Sequence, residues 1–205
     1  MKVAVVGASE IVGEYVLKAL NKRGYETVAV ISEINRKPDM HKLGATEVAV
    51  STEHNFNEVF SECDAVIYIS GSSHRAGGNK SVLIDHQEVN DSIRGAKNLG
   101  IERFVLMSAV RAHEPENSDL RKIGAKHAPD ELLQKEDFKY TIIRPSRLVD
   151  KPGTRMIQTG EGLSIDGEIS KEDAASVLVE VLNNEAAFYQ IIEVTAGKIP
   201  IAKAF

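Results

Sequence analysis

Gly7 and Gly13 bracket the turn Gly7-Ala8-Ser9-Glu10-Ile11-Val12-Gly13, where the apolar run Val3 to Val6 gives way to a helical pattern. Ile11, Tyr15, Val16, Ala19 and Leu20 are spaced for one helix face, and Gly24 closes the helix. A strand, a glycine turn and a helix N-terminus together make a place to hold a phosphate. Unpaired backbone N–H groups and the positive end of the helix dipole both point there. Ser9 and the N–H groups of Glu10, Ile11 and Val12 are the expected donors. The spacing fits a dinucleotide-binding turn whose middle glycine has become Glu10. That glycine lets the backbone approach a pyrophosphate, and a carboxylate in its place repels one unless the side chain swings away.

Other residues suggest binding rather than a fixed chemistry. Ser70, Gly71 and Ser72 open a glycine-rich loop through Asn79, longer than a minimal strand-to-helix turn needs. His74, Arg75, Arg111, His113 and Arg147 are candidates to line a pocket for an anionic substrate. His41, His54, His86 and His127 show no metal-ligand spacing, and Cys63 is the only cysteine, so no metal site is expected.

The elements that must position these residues follow from periodicity. Strands are expected over 27–32, 47–50, 65–69, 104–107, 140–144 and 191–194, with Pro145 ending the sixth. Helices are expected after Asn55, from about Lys80 to Leu99, around Pro129, and after Ser170. Ser170-Lys171-Glu172-Asp173 resembles a capping box with Asp as the reciprocal acid. Strands alternating with helices argue for an α/β fold, a doubly wound parallel sheet covered on both faces. Residues 1–205 read as one domain, with a small C-terminal elaboration from about residue 146.

The net charge is −5 with acids and bases interspersed, so nucleic acid is not an expected partner. No apolar run is long enough to span a membrane and no leader pattern is visible, so a cytoplasmic protein with no membrane partner is expected.

Several stretches in order carry a family resemblance. They are the Gly7–Gly13 turn, Asp64 to Ile67, Gly100 to Ser108, Tyr140 to Pro145 and Ile169 to Ala175. Together they resemble the atypical short-chain dehydrogenase/reductases of the NAD(P)H-binding, NmrA-like group, over essentially the whole chain. The resemblance implies a Rossmann fold and NAD or NADP as the bound dinucleotide. It places Ser32 where relatives that prefer the 2′-phosphate often have an arginine. Glu33 follows and suits a free ribose hydroxyl, while Arg36 and Lys37 are near enough to substitute. Ser51 falls where relatives often place an adenine-touching Asp, and Pro145 falls beside the nicotinamide position. In the general short-chain mechanism a Tyr-x-x-x-Lys pair works with a serine. Ser108 and Lys126 match the serine and the lysine, but Lys122 stands at the tyrosine position.

The resulting expectation is an NAD(P)-binding Rossmann protein, an NAD(P)H-dependent oxidoreductase with an incomplete catalytic set. Its partners are a dinucleotide and either an unidentified small-molecule substrate or a protein. The alternatives are a non-catalytic dinucleotide sensor or protein-binding module, and a scaffold that binds no nucleotide.

Overall fold

Lys2–Val6 forms strand β1, and Val3 to Val6 are all buried. A strand apolar on both faces needs cover on both faces, which a parallel sheet sandwiched by helices supplies. The computed structural model describes residues 1–51, 55–69, 79–108, 129–163 and 167–205. The further strands are β2 (Glu26–Ile31), β3 (Glu47–Val50), β4 (Ala65–Ile69), β5 (Arg103–Met107), β6 (Lys139–Pro145), β7 (Arg147–Val149), β8 (Met156–Thr159), β9 (Glu168–Ser170), β10 (Gln190–Ala196) and β11 (Ile199–Pro200). The helices are α1 (Ile11–Lys22), α2 (Lys37–Lys42), α3 (Phe56–Val59), α4 (Asn79–Asn98), α5 (Pro129–Lys135) and α6 (Lys171–Glu180).

The main sheet runs β11-β8-β10-β6-β5-β4-β1-β2-β3. From β3 to β10 every pairing is parallel, and only β8 and β11 join antiparallel at one edge. β7 and β9 form a separate parallel pair. The chain winds outward from β1 to β3 and then returns to β4 on the other side of β1. That reversal opens a crevice at the carboxyl ends of β1 and β4, where open α/β sheets bind ligands. The doubly wound Rossmann-like sheet read from the sequence is therefore the fold, with an added antiparallel edge.

Alternate residues of β1 feed two cores, as the two-residue period of a strand requires. Val3 and Val5 pack with Val16, Leu17 and Leu20 of α1 and Val177 and Leu178 of α6. Ala4 and Val6 pack with Phe56 of α3, Val89 and Ile93 of α4 and Leu133 of α5. The segment beyond residue 146 supplies both β10, the seventh parallel strand, and α6, which covers the sheet beside α1.

Three local expectations change. Ile11 is 49% exposed, so the buried face of α1 is Val12, Val16, Leu17 and Leu20. Ile11 is the first helical residue, and at that position the side chain lies over the turn before the helix rather than on the sheet. Asn55 precedes α3, but its side chain makes no capping bond, and the helix ends at Val59. Ser170 does cap α6, accepting from the Asp173 N–H at 2.9 Å. The Asp173 carboxylate is used elsewhere: it accepts from the Thr154 N–H at 2.8 Å and the Arg155 N–H at 2.7 Å. Half of the capping box is thus converted into a clamp on the loop before β8.

Arg103 is a buried cation at the start of β5, 6% exposed. It donates to the carbonyls of Leu182 and Val181 at 2.8 Å each, to Thr141 Oγ1 at 2.7 Å, and to the Lys139 carbonyl. Its guanidinium also lies 4.7 Å from the centre of the Phe188 ring. Burial lowers its pKa to about 10, which leaves it charged at neutral pH. The carbonyls just past α6 carry the negative end of the helix dipole, so this cation ties that end to the central sheet.

Candidate functional site

The turn after β1 is built from two glycines with different jobs. Gly7 has φ +76°, and a Cβ there would lie 2.7 Å from the Ile69 carbonyl oxygen at the end of β4. Any side chain there would collide with the end of β4 and strain the left-handed backbone. A Cβ on Gly13 would lie 2.7 Å from Ala8 Cα, so this glycine lets α1 pack directly on the turn. Glu10 is the N-cap of α1 with φ −73° and ψ 155°, ordinary extended backbone that does not require glycine. Its side chain is exposed and makes no capping bond. The Glu10 N–H is already donated to the Gly7 carbonyl at 3.0 Å, so it drops out of the expected donor set. Ile11 and Val12 keep first-turn N–H groups with no carbonyl one turn back, and Ser9 is half-buried beside them. A cap position left open by its own side chain, at the end of a 12-residue helix, fits a phosphate.

At the end of β2, Ser32 is exposed and the chain turns back through residues 34–36. Arg36 reaches α1, with Nη2 2.7 Å from Glu14 Oε1, and Nε lies 3.3 Å from Asp39 Oδ2. Ser51, half-buried, follows β3 and donates its N–H to the Ile31 carbonyl at 2.9 Å. Ile34 is 72% exposed beside this loop. Lys37 opens α2 with its side chain exposed.

The carboxyl ends of β5 and β6 hold a second polar group. Ser108 is buried and donates its N–H to the Ile143 carbonyl at 2.9 Å. Its hydroxyl lies 3.3 Å from Asp130 Oδ2, and Arg144 Nη2 lies 2.9 Å from the same oxygen. Asp130 sits in the first turn of α5, which Pro129 opens, and is 8% exposed. Pro145, half-buried, is the last residue of β6 and pairs in register with Val194 of β10. Asp130 and Arg144 were not candidates from sequence: one is an acid in a short helix and the other the end of an apolar strand. Only the fold brings them to Ser108.

Some expected site residues lie outside the described residues: Ser70, Gly71, Ser72, His74, Arg75, Arg111, His113, Lys122 and Lys126. Of the residues expected to line an anion pocket, Arg147 is described, exposed at the start of β7. It is paired with Glu168, which Lys151 also contacts at 2.8 Å. Among the described residues there is no group of three or more His, Cys, Asp or Glu placed to hold a metal ion. Nor is any described helix long and apolar enough to cross a membrane.

The NAD(P)H-binding family matches residues 7–185 of this chain. The uncharacterized sugar epimerase YhfK of Bacillus subtilis is 30% identical over 211 residues, covering 100% of this chain and 98% of that protein. A provisionally named NAD-dependent epimerase/dehydratase from Bacillus halodurans superimposes with a TM-score of 0.88 at 31% identity, covering 98% of this chain and 97% of that one. A short-chain dehydrogenase/reductase from Veillonella parvula, solved in complex with NADP, shares the fold with a TM-score of 0.74 at 13% identity, covering 98% and 97%. The resemblance to atypical short-chain dehydrogenase/reductases fits all three. With a glycine turn, an open helix start and the crevice at β1 and β4 already in place, the match over residues 7–185 makes the assignment plain: the chain belongs to the NAD(P)H-binding family.

Proposed function

We propose that this protein is an NAD(P)H-dependent oxidoreductase that works without the short-chain tyrosine. The observation that carries the reading is the Ser108–Asp130–Arg144 group at the carboxyl ends of β5 and β6. Gly7, Ser9, Ile11, Val12 and Gly13 would hold the pyrophosphate, with Ser32, Ser51 and Arg36 toward the adenosine and Pro145 toward the nicotinamide. A reduced nicotinamide, when bound, would supply the hydride, leaving negative charge on the acceptor's oxygen.

Arg144 brings a permanent positive charge to that side of the crevice. Asp130 offsets part of it and accepts the Ser108 hydroxyl proton, so Ser108 presents lone pairs unless it gives up Asp130. An arginine stabilises charge but does not give up a proton at neutral pH. Protonation therefore falls to another donor, and Lys122 at the tyrosine position makes the usual one absent. This favours acceptors whose added charge is spread over a conjugated system.

The test is calorimetry with NAD, NADH, NADP and NADPH on protein stripped of carried-over ligand, followed by hydride-transfer assays on quinones, aldehydes and ketones. Dinucleotide binding and acceptor-dependent oxidation of the reduced form, weakened by Ser108→Ala, are expected. Simple ketones should be poor substrates. Binding without turnover on any acceptor would instead support a dinucleotide sensor, the reading that the missing tyrosine favours. No binding would sink both.

A further inference from the structure

At the far end of α1 from the glycine turn, about 18 Å along a 12-residue helix, lies a cleft of about 520 Å³ between α1 and α6. It is lined by the apolar Ala19 and Val179 and by Lys22, Arg23, Arg155 and Ser176. Arg23 is committed, with Nη2 2.6 Å from Glu180 Oε2. Among the described residues Lys22 and Arg155 have no ion-pair partner. Arg23 and Glu180 offset each other, so Lys22 and Arg155 are the lining cations left without an ion pair, on a chain whose net charge is −5.

Arg155 is held in place with unusual care. Its φ is +58°, left-handed backbone that a residue with a side chain rarely adopts. Asp173, 1% exposed, fixes its N–H, and the Ile201 N–H donates to its carbonyl at 3.0 Å. The Gly153 N–H is held by Glu172 in the same way, at 3.0 Å. Glu172 and Asp173 are thus turned to backbone N–H groups and make no ion pair with the Arg155 guanidinium.

We propose that this cleft is a second ligand site, separate from the dinucleotide crevice, for a small anion with an apolar body. Lys22 and Arg155 pair with the phosphate or carboxylate, the Ser176 hydroxyl donates a hydrogen bond to it, and Ala19 and Val179 take the apolar part. A volume of this size suits a metabolite rather than a macromolecule. The site stands whether or not the protein is an oxidoreductase.

The test follows backbone amide signals by NMR on the full chain, titrated with phenyl phosphate, benzoate, inorganic phosphate and neutral benzyl alcohol. Phenyl phosphate should move Ser176, Val179 and Arg155, more strongly than inorganic phosphate and far more than benzyl alcohol. Benzoate against phenyl phosphate tells which anion the cleft prefers. Arg155→Gly removes the side chain while relieving the left-handed backbone, so it should fold at least as well as the parent. It and Lys22→Gln should each weaken phenyl phosphate about tenfold. Shifts confined to Val12 and Gly13 would place the anion at the glycine turn and overturn the proposal. So would unchanged affinity in both variants, or no shift with any anion.

Discussion

Arg36 Nη2 lies 2.7 Å from Glu14 Oε1, which ties the loop after β2 to the first turn of α1. Asp39 shares the same guanidinium at 3.3 Å. If the dinucleotide lies as the resemblance implies, this cation would face the ribose 2′ position, yet two carboxylates already offset it. That predicts little preference between NADPH and NADH, as Ser32 and Glu33 suggested from sequence.

The carboxylate is then the element that restrains the choice. Glu14→Gln keeps the shape and frees the charge of Arg36. Its NADPH-to-NADH affinity ratio should rise about tenfold by calorimetry, equivalent to 1.4 kcal/mol. Adding Arg36→Ala should erase the gain. Stability should hardly change, because both side chains are about one-third exposed, at 33% and 30%, and such pairs contribute about 0–1 kcal/mol. An unchanged ratio in Glu14→Gln would mean that Arg36 does not face the ribose.

Asp130 and Arg144 should be coupled energetically as well as geometrically. Their side chains are 11% and 30% exposed, so removing one partner leaves a poorly solvated charge. Asp130→Ala is expected to lower unfolding free energy by ~3 kcal/mol. A cycle of Asp130→Asn, Arg144→Gln and the double variant, measured by urea denaturation, should give a coupling of about 1–3 kcal/mol. Ser108→Ala should cost only about 1 kcal/mol, since its bond to Asp130 is long at 3.3 Å. A coupling near zero would show the pair to be a geometric coincidence.

Cys63 should make stability fall at high pH. Burial raises its thiol from 9.0 to about 11, a rise that Lys2 partly opposes. The native state therefore holds this proton longer than the unfolded chain does. Its stabilising contribution is complete below about pH 9 and is lost as pH rises toward about 11. Urea unfolding of wild type and Cys63→Ala across that window should show the difference between them shrinking. In the native protein Cys63 should also resist iodoacetamide, because the thiolate is the reacting form. Rapid alkylation at neutral pH would contradict the burial.

The sheet was legible in the sequence because each central strand is a short apolar run closed by a turn signal, and local pattern carries that information. The doubly wound parallel sheet followed from the alternation of strands and helices, and β11 was not foreseen because a two-residue edge strand has no period to read. Arg103 was missed for a related reason. An arginine beside an apolar run looks like a boundary residue, and only the packing of the α6 end against β5 supplies the carbonyls that bury it. The site divides in the same way. Gly7 and Gly13 announce themselves because the close approaches they permit are local. Asp130, Arg144 and Glu14 gain meaning only from partners 14 to 22 residues away. Asp173 looked like a helix cap and is chiefly a clamp, since the loop it holds comes 18 residues earlier.

Glu10 is the sharpest test of the glycine turn. Its backbone lies at φ −73°, so glycine is not needed for conformation there, and its exposed side chain is not used to cap α1. What it adds is a negative charge and some bulk at a helix start where an anion should sit. Glu10→Gly should strengthen dinucleotide binding about tenfold or more, on the scale of 1.4 kcal/mol per decade. The gain should be larger at low salt, because screening already weakens the repulsion at high salt. Glu10→Gln separates charge from bulk: it should recover most of the gain if charge dominates and little if bulk does. Helix stability is not the obstacle, since glycine is an acceptable N-cap and this glutamate makes no capping bond to lose. A ligand-free thermal melt should therefore show nearly equal midpoints for the two proteins. If wild type binds at micromolar concentration and Glu10→Gly adds nothing, the carboxylate stays in solvent when the dinucleotide is bound. If neither protein binds, the turn has lost more than one residue's worth of function.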